Sequence, residues 1–254
     1  MRLGSALLAL ALLTTAPSVE AAGPVPMVER PFVIALDPGH GGSNSGCAAF
    51  DGVVREKDVT LVMAQDLQAA LQRRMPHVRV VLTRSGDETV TLAERVQRAN
   101  AVHADLLLSL HANASSSGPQ TGFETYVLDV GLAERDAAQV ARTGSDAGKP
   151  GHAHARSMLR ELELSSHRAR AAGFARRVQQ EQAERFPERM DRGVKQAAFD
   201  VLLGARMPAV LFEAGFLDHP EEGARLLDPG QRALVVDGLV EAIVDYYHQH
   251  ARQR

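Results

Sequence analysis

Tryptophan is absent from this 254-residue chain, tyrosine occurs three times and cysteine once. Without aromatic platforms to stack on sugar rings, a carbohydrate-binding module of that kind is not expected. The lone Cys47 excludes an internal disulfide, and a chain of this size can bury a sufficient core without one. Excess charge of either sign is also missing: 28 Lys and Arg stand against 31 Asp and Glu. The two signs are mixed along the chain, so nothing points to nucleic-acid binding. No internal repeat and no second domain are visible. The apolar run Leu3–Leu13 is too short to span a bilayer comfortably.

That run follows Arg2 and precedes small residues at Val19-Glu20-Ala21, the layout of a cleaved export signal with its cut after Ala21. No twin-arginine pair precedes it, which favours the general secretory route. No cysteine lies near the cut, so neither a lipid anchor nor a stable membrane anchor is expected. Residues 1–21 thus read as a signal peptide, 22–31 as a Pro-rich lead-in and 32–250 as one domain.

What the chain does have is a regular alternation of apolar runs and amphipathic stretches. Phe32–Leu36, Val78–Thr83, Asp105–Leu110, Phe123–Leu128 and Ala209–Phe212 read as strands. Helical spacing predicts a helix from residues 55–58 to about Arg74, with Val59, Val62, Met63, Leu67, Ala70 and Leu71 inward. A second is predicted over Leu92–Val102, with Leu92, Val96 and Ala99 on one face. A polar helix should span Ser165 to about Arg185, and Pro220 opens another. A last one should run from Gln231 to Tyr247, with Leu234, Val235, Leu239, Ile243 and Tyr246 inward. Asp191-Arg192-Gly193 reads as a turn. Between residues 131 and 164 the rhythm breaks, with short helical patterns at Leu132–Ala141 and His154–Leu164. The expected fold class is α/β: one domain with an open, mostly parallel sheet and helices on both faces.

Three strand ends carry chemistry. His40 follows the first strand on Asp37-Pro38-Gly39-His40-Gly41-Gly42, His111 follows the third, and Glu213 follows the late strand. In an open parallel sheet, ligands bind beyond the carboxyl ends of the strands, so all three should share one rim. Glu56, opening the first long helix, comes from a loop leaving that rim. Two imidazoles and a carboxylate with a fourth position open to water suit a hydrolytic zinc site, and Glu213 stands where a proton-transferring carboxylate is needed. Each residue also has a plainer role open to it. Glu56 suits the positive end of a helix, Glu213 could hold a loop, and His40 and His111 could be hydrogen-bonded structural histidines. Cys47 is a possible soft ligand but reads as inert. His152 and His154 read as surface residues, and for His77, His103, His219, His248 and His250 the sequence identifies no carboxylate or histidine to act with them.

Asp-Pro-Gly-His-Gly-Gly at 37–42, Glu56 before a helix, Ser-Leu-His-Ala-Asn-Ala at 109–114 and Phe-Glu-Ala-Gly-Phe-Leu at 212–217 resemble the zinc-dependent N-acetylmuramoyl-L-alanine amidase family. Thr83-Arg84, Asn100 and Asp191-Arg192-Gly193-Val194-Lys195 are similar to its pattern too. The motifs lie in the family's order over nearly all of residues 32–250. The resemblance implies Zn2+ on His40, Glu56 and His111, with Glu213 as catalytic acid/base. The implied reaction cuts the amide between N-acetylmuramic acid and L-alanine of peptidoglycan stem peptides. Leu217-Asp218-His219 departs from the Ser/Thr-Asn pair usual in the family. Asp37 and Pro38 are read as shaping the turn, and Gly41 and Gly42 as leaving room for substrate.

Segment 131–164 is similar in position to the insertion that blocks the zinc in cell-separation amidases of the family. It is expected to gate the site, with Glu161 or Glu163 reaching the metal, and an activator of the LytM type then becomes a partner. The chain is expected to act as a monomer in the periplasm, on peptidoglycan. Two alternatives stay open: a zinc peptidase cutting peptidoglycan cross-links, and a non-catalytic wall-binding regulator of the same fold.

Overall fold

The computed structural model describes residues 30–115, 119–129 and 153–251, with the backbone alone over 153–164. Pro31–Arg254 forms one compact unit. Its strands are β1 (Val33–Pro38), β2 (Arg79–Leu82), β3 (Leu106–Asn113), β4 (Phe123–Leu128), β5 (Asp191–Ala197) and β6 (Ala209–Phe216). Its helices are α1 (Glu56–Arg74), α2 (Leu92–Ala101), α3 (Ala153–Arg185), α4 (Pro220–Leu227) and α5 (Pro229–His250).

The strands make one six-stranded sheet in the order β2-β1-β3-β6-β4-β5. β2, β1, β3 and β6 run parallel, and β4 and β5 run parallel to each other. The junction between β6 and β4 is antiparallel. The expected single-domain α/β fold is the one observed. Continuous apolar runs such as Val33–Leu36 and Leu106–Leu108 form central strands because both faces of the sheet are covered. One face packs Ile34, Leu36, Leu108, Leu110 and Phe212 against α1, α3 and α5. On the other, Val33, Ala35, Leu107 and Leu211 meet Ala99 of α2 and Val201, Leu202 and Met207 of the loop before β6. Met63, Leu67 and Leu71 of α1 are fully buried, each worth roughly 2 kcal/mol.

Helix ends follow local chemistry. Thr91 and Glu94 form a reciprocal capping box on α2, Thr91 Oγ1 accepting from Glu94 N at 3.2 Å and Glu94 Oε2 from Thr91 N at 2.8 Å. α1 has no side-chain cap, because its N-cap residue is Arg55, whose guanidinium offers no acceptor. No helix among the described residues is long and apolar enough to cross a membrane.

Several expectations are corrected. Val62, Leu92 and Leu234 are exposed, lying at the margins of their helical stripes. Asp191-Arg192-Gly193 is not a turn but the start of β5, where a register shift accommodates Gly193 in the left-handed region (φ 78°). His154–Leu164 and Ser165–Arg185 belong to one continuous 33-residue helix, Ala153–Arg185. The expected helix at Leu132–Ala141, residues 1–29 with the export signal, and the side chains of Glu161 and Glu163 lie outside the described residues. β3 and β6 continue to Asn113 and Phe216, so His111 and Glu213 sit inside strands, one turn of pleat before the rim.

Candidate metal centre

β3 and β6 pair in parallel, and their register sets His111 directly beside Glu213. Paired residues on neighbouring strands point to the same face of a sheet. His40 arrives from the loop after β1, and its backbone is left-handed at φ 61°. A non-glycine residue held there is strained and needs its surroundings to keep it so. Arg95 supplies part of that hold, donating to the carbonyls of His40 and of Pro38 (2.6 Å). Arg84 donates to the carbonyls of Pro38 (2.9 Å), Gly39 (2.8 Å) and Lys57 (2.8 Å), tying the His40 loop to the start of α1.

Glu56 is the hub. Its Oε1 lies 3.0 Å from His40 Nε2 and 3.0 Å from His111 Nδ1, and the donor atoms of the three residues lie within 4.8 Å of one another. Backbone N–H groups of Ala112 (3.2 Å) and Cys47 (3.1 Å) donate to the same carboxylate. Burial opposes its charge, but the bonds from His111 and His40 outweigh burial and hold the carboxyl well below the usual range. For His111, burial works against the imidazolium, and the bond to Glu56 with the charge of Glu213 lifts it above the usual range. The other ring nitrogen of His40, Nδ1, faces Asn44 Oδ1 at 2.9 Å. That acceptor keeps a proton on Nδ1, so that a metal replacing the bond to Glu56 would find the Nε2 lone pair free.

Two imidazole nitrogens and one carboxylate oxygen converging on one point are a fitting donor set for a divalent metal. Glu213 stands beside this set without joining it. Its Oε2 is buried with no hydrogen-bond partner among the described residues, and burial raises its carboxyl to about 7 against the pull of His111, with Glu56 and Glu124 adding to the rise. A carboxyl poised near neutrality can take up and release a proton.

The four residues expected to carry the chemistry are therefore brought together. Others are not. Asp37 is not a turn residue: it is buried in β1, accepting from Arg95 (2.9 Å), Ser109 (2.6 Å) and Thr83. Gly41 and Gly42 do not open space for substrate. A Cβ on Gly42 would stand 2.1 Å from Thr89 Oγ1, and one on Gly41 2.5 Å from the Glu88 carbonyl, so both let the loop close on residues 84–89. The glycines that leave room at the metal set are Gly39, where a Cβ would stand 2.3 Å from His111 Cε1, and Gly46, where one would stand 2.5 Å from Glu56 Oε2 and 2.8 Å from His40 Cδ2. The Cys47 thiol leans on the carbonyls of Ala112 (3.5 Å) and Asn113 (3.9 Å), and burial together with Glu56 raises it far above its ordinary value. It is a structural thiol. His219 caps α4 at 3.5 Å, and His77, His248 and His250 pack on Tyr247 or Tyr246. His152 and the side chain of His154 lie outside the described residues.

The sequence reading missed Glu124. It is the antiparallel partner of Glu213 on β4 and is 2% exposed. A lone charge inside the strand Phe-Glu-Thr-Tyr-Val-Leu was the available signal. Asn44 was missed as well, because a loop asparagine acquires its role only when the loop folds back on His40.

The Amidase_3 family model, described as N-acetylmuramoyl-L-alanine amidase, matches residues 34–245. The chain is 29% identical over 226 residues to N-acetylmuramoyl-L-alanine amidase AmiC of Escherichia coli O6:H1, covering 86% of this chain and 54% of that one. With AmiA of Escherichia coli K12 it shares 28% over 240 residues, covering 87% and 78%. The catalytic domain of CwlV, an N-acetylmuramoyl-L-alanine amidase from Bacillus (Paenibacillus) polymyxa var. colistinus, matches with a TM-score of 0.67 at 28% identity, over 85% and 98% of the two chains. The chain thus spans about half the length of AmiC. With the family model running from β1 to α5 and a His-Glu-His set at the expected rim, the chain belongs to the N-acetylmuramoyl-L-alanine amidase family Amidase_3.

Proposed function

We propose that this protein is an exported zinc hydrolase that cuts the amide between N-acetylmuramic acid and L-alanine of peptidoglycan stem peptides. The observation that carries this reading is the convergence of His40, Glu56 and His111 on one point, with the buried, unpartnered Oε2 of Glu213 beside it. Zinc on the three ligands would supply Lewis acidity for the carbonyl and for a water. The protein's own groups do the rest. Glu56, anchored by two backbone N–H groups, fixes the angle between the imidazoles. Glu213 Oε2 accepts a proton from the attacking water and returns it to the leaving L-alanine nitrogen, the shuttle an amide needs to expel a poor leaving group. Gly39 keeps the floor beneath His111 free of side chain.

Digestion of purified peptidoglycan by the zinc-loaded protein should release free stem peptides and leave peptide-free glycan. Cut cross-links with intact muropeptides would overturn this reading in favour of a peptidase. Glu213→Ala should keep its zinc and lose turnover by roughly 10²–10⁴-fold. Near-normal turnover would remove Glu213 from the role.

The leader Met1–Ala21 supports export by the secretory route to the periplasm. Through the resemblance of segment 131–164 to the family's blocking insertion, we also assign that segment the role of a gate released by a LytM-type activator, in cell separation. Its excision should raise basal hydrolysis of peptidoglycan; unchanged or lost activity would sink the gate.

A further inference from the structure

On the side of Glu213 away from the imidazoles, the sheet carries a second polar cluster. Its centre is the buried carboxylate of Glu124. Oε1 accepts from Asn113 Nδ2 at 2.8 Å and from the Tyr126 hydroxyl at 2.7 Å. Oε2 accepts from Arg192 Nε at 2.7 Å and from the Lys195 ammonium. Two cations share one carboxylate, which leaves the cluster one positive charge in excess.

The two cations differ. Arg192 is fully engaged: it also donates to Gln120 Oε1 (3.0 Å) and the Thr121 carbonyl (3.5 Å), and its guanidinium lies 5.0 Å over the Phe216 ring. Lys195 touches Glu124 and faces the Tyr126 ring at 5.8 Å. Its side chain is 36% exposed, and its remaining N–H donors have no partner among the described residues. An ammonium pinned by a buried carboxylate, with donors to spare, is pre-organised to receive an anion.

Its position suits a particular one. Glu124, Glu213 and His111 form a row across three strands. Strands stand about 4.8 Å apart, so the cluster begins about 10 Å from the metal ligands. A peptide chain advances at most about 3.6 Å per residue, so a carboxylate on the residue after L-alanine lies up to about 7 Å from the scissile carbonyl, and a hydrogen bond of about 3 Å more carries it to the Lys195 ammonium, which reaches back from β5 to Glu124. In peptidoglycan that residue is a γ-linked glutamate whose α-carboxyl is either free or amidated.

We propose that Lys195, anchored by Glu124, is a subsite for the α-carboxylate of the second stem residue and makes the enzyme prefer the free acid over its amide. The proposal rests on the amidase reading above. The test compares two disaccharide–stem-peptide fragments that differ only in that group, with the zinc-loaded protein. The expected result is a preference for the acid of about 10-fold or more in kcat/KM, carried by KM and shrinking with added salt. Lys195→Met should lose the preference by weakening action on the acid alone, with zinc content unchanged, and Lys195→Arg should restore part of it. Equal rates on acid and amide in the unaltered protein, or an equal fall on both in Lys195→Met, would overturn the subsite. Should Lys195→Met fail to fold, the acid-to-amide ratio and its salt dependence in the unaltered protein decide alone. If neither fragment is cut, either by the intact protein or after excision of segment 131–164, the amidase reading itself falls, and the subsite with it.

Discussion

At the scale of residues, the site depends on side chains that never meet a metal. Asn44 Oδ1 accepts from His40 Nδ1 and also from the Gly46 amide at 3.2 Å. It therefore fixes both the ring's tautomer and the turn that carries it. Asn44→Ala should weaken zinc binding by about 10-fold or more, read by competition with a chelating dye, while Asn44→Asp, which keeps an acceptor, should bind normally. Equal affinity in all three proteins would leave Asn44 with no such role. His40, Glu56, His111 and Glu213 were legible in the sequence because His111 and Glu213 interrupt apolar runs, His40 follows one through a glycine turn, and Glu56 opens an amphipathic stretch. Asn44, Glu124 and Lys195 were not legible as partners of the site. Their roles come from closures across 4, 11 and 71 residues, Asn44 with His40, Asn113 with Glu124 and Glu124 with Lys195, and no local pattern encodes these.

At the scale of elements, the apolar periodicities located every strand of the parallel half and most helix limits to within a few residues. Where they failed, the reasons are physical. β3 and β6 run past their apolar cores because the polar residues His111 and Glu213 still pair with each other. Pairing depends on backbone groups, which hydropathy does not report. Asp191-Arg192-Gly193 reads as a turn because it has turn chemistry, yet the edge position of β5 tolerates a polar, glycine-containing strand start. α1 departs from ordinary helix logic in the opposite sense. Glu56, one of two acids in its first turn, is turned toward His40 and His111, and Arg55 at the N-cap offers the helix start no side-chain acceptor.

At the scale of the whole molecule, the metal-free protein should register its site in its stability. The folded carboxyl of Glu213 is raised to about 7 from an ordinary 4.5. Between those values the folded chain keeps a proton that the unfolded chain has released, so stability is fully present below about pH 4.5 and is lost as pH rises toward 7. Glu56 acts in the opposite sense and only below its ordinary 4.5, outside this window. His111, also raised, loses stability in the same direction as Glu213 but is present in both proteins compared. Urea melts of metal-free Glu213→Gln should therefore lose less stability between pH 5 and pH 7 than those of the unaltered chain. The difference should reach up to about 2 kcal/mol. Parallel pH profiles would show that Glu213 carries no such burden.

The sheet order has one more consequence, in the dimension of time. β6 is the last strand to leave the ribosome, yet it lies in the middle of the sheet, between β3 and β4. Until Ala209–Phe216 arrives, β3 and β4 have no neighbour to join them, and the chain already made holds His40, Glu56 and His111 but not Glu213. Non-local pairing of this kind is slow to form. If His40, Glu56 and His111 hold the metal and Glu213 shuttles the proton as proposed, the ligand set precedes the shuttle in chain order, and the strand that closes the sheet is the one that completes the site.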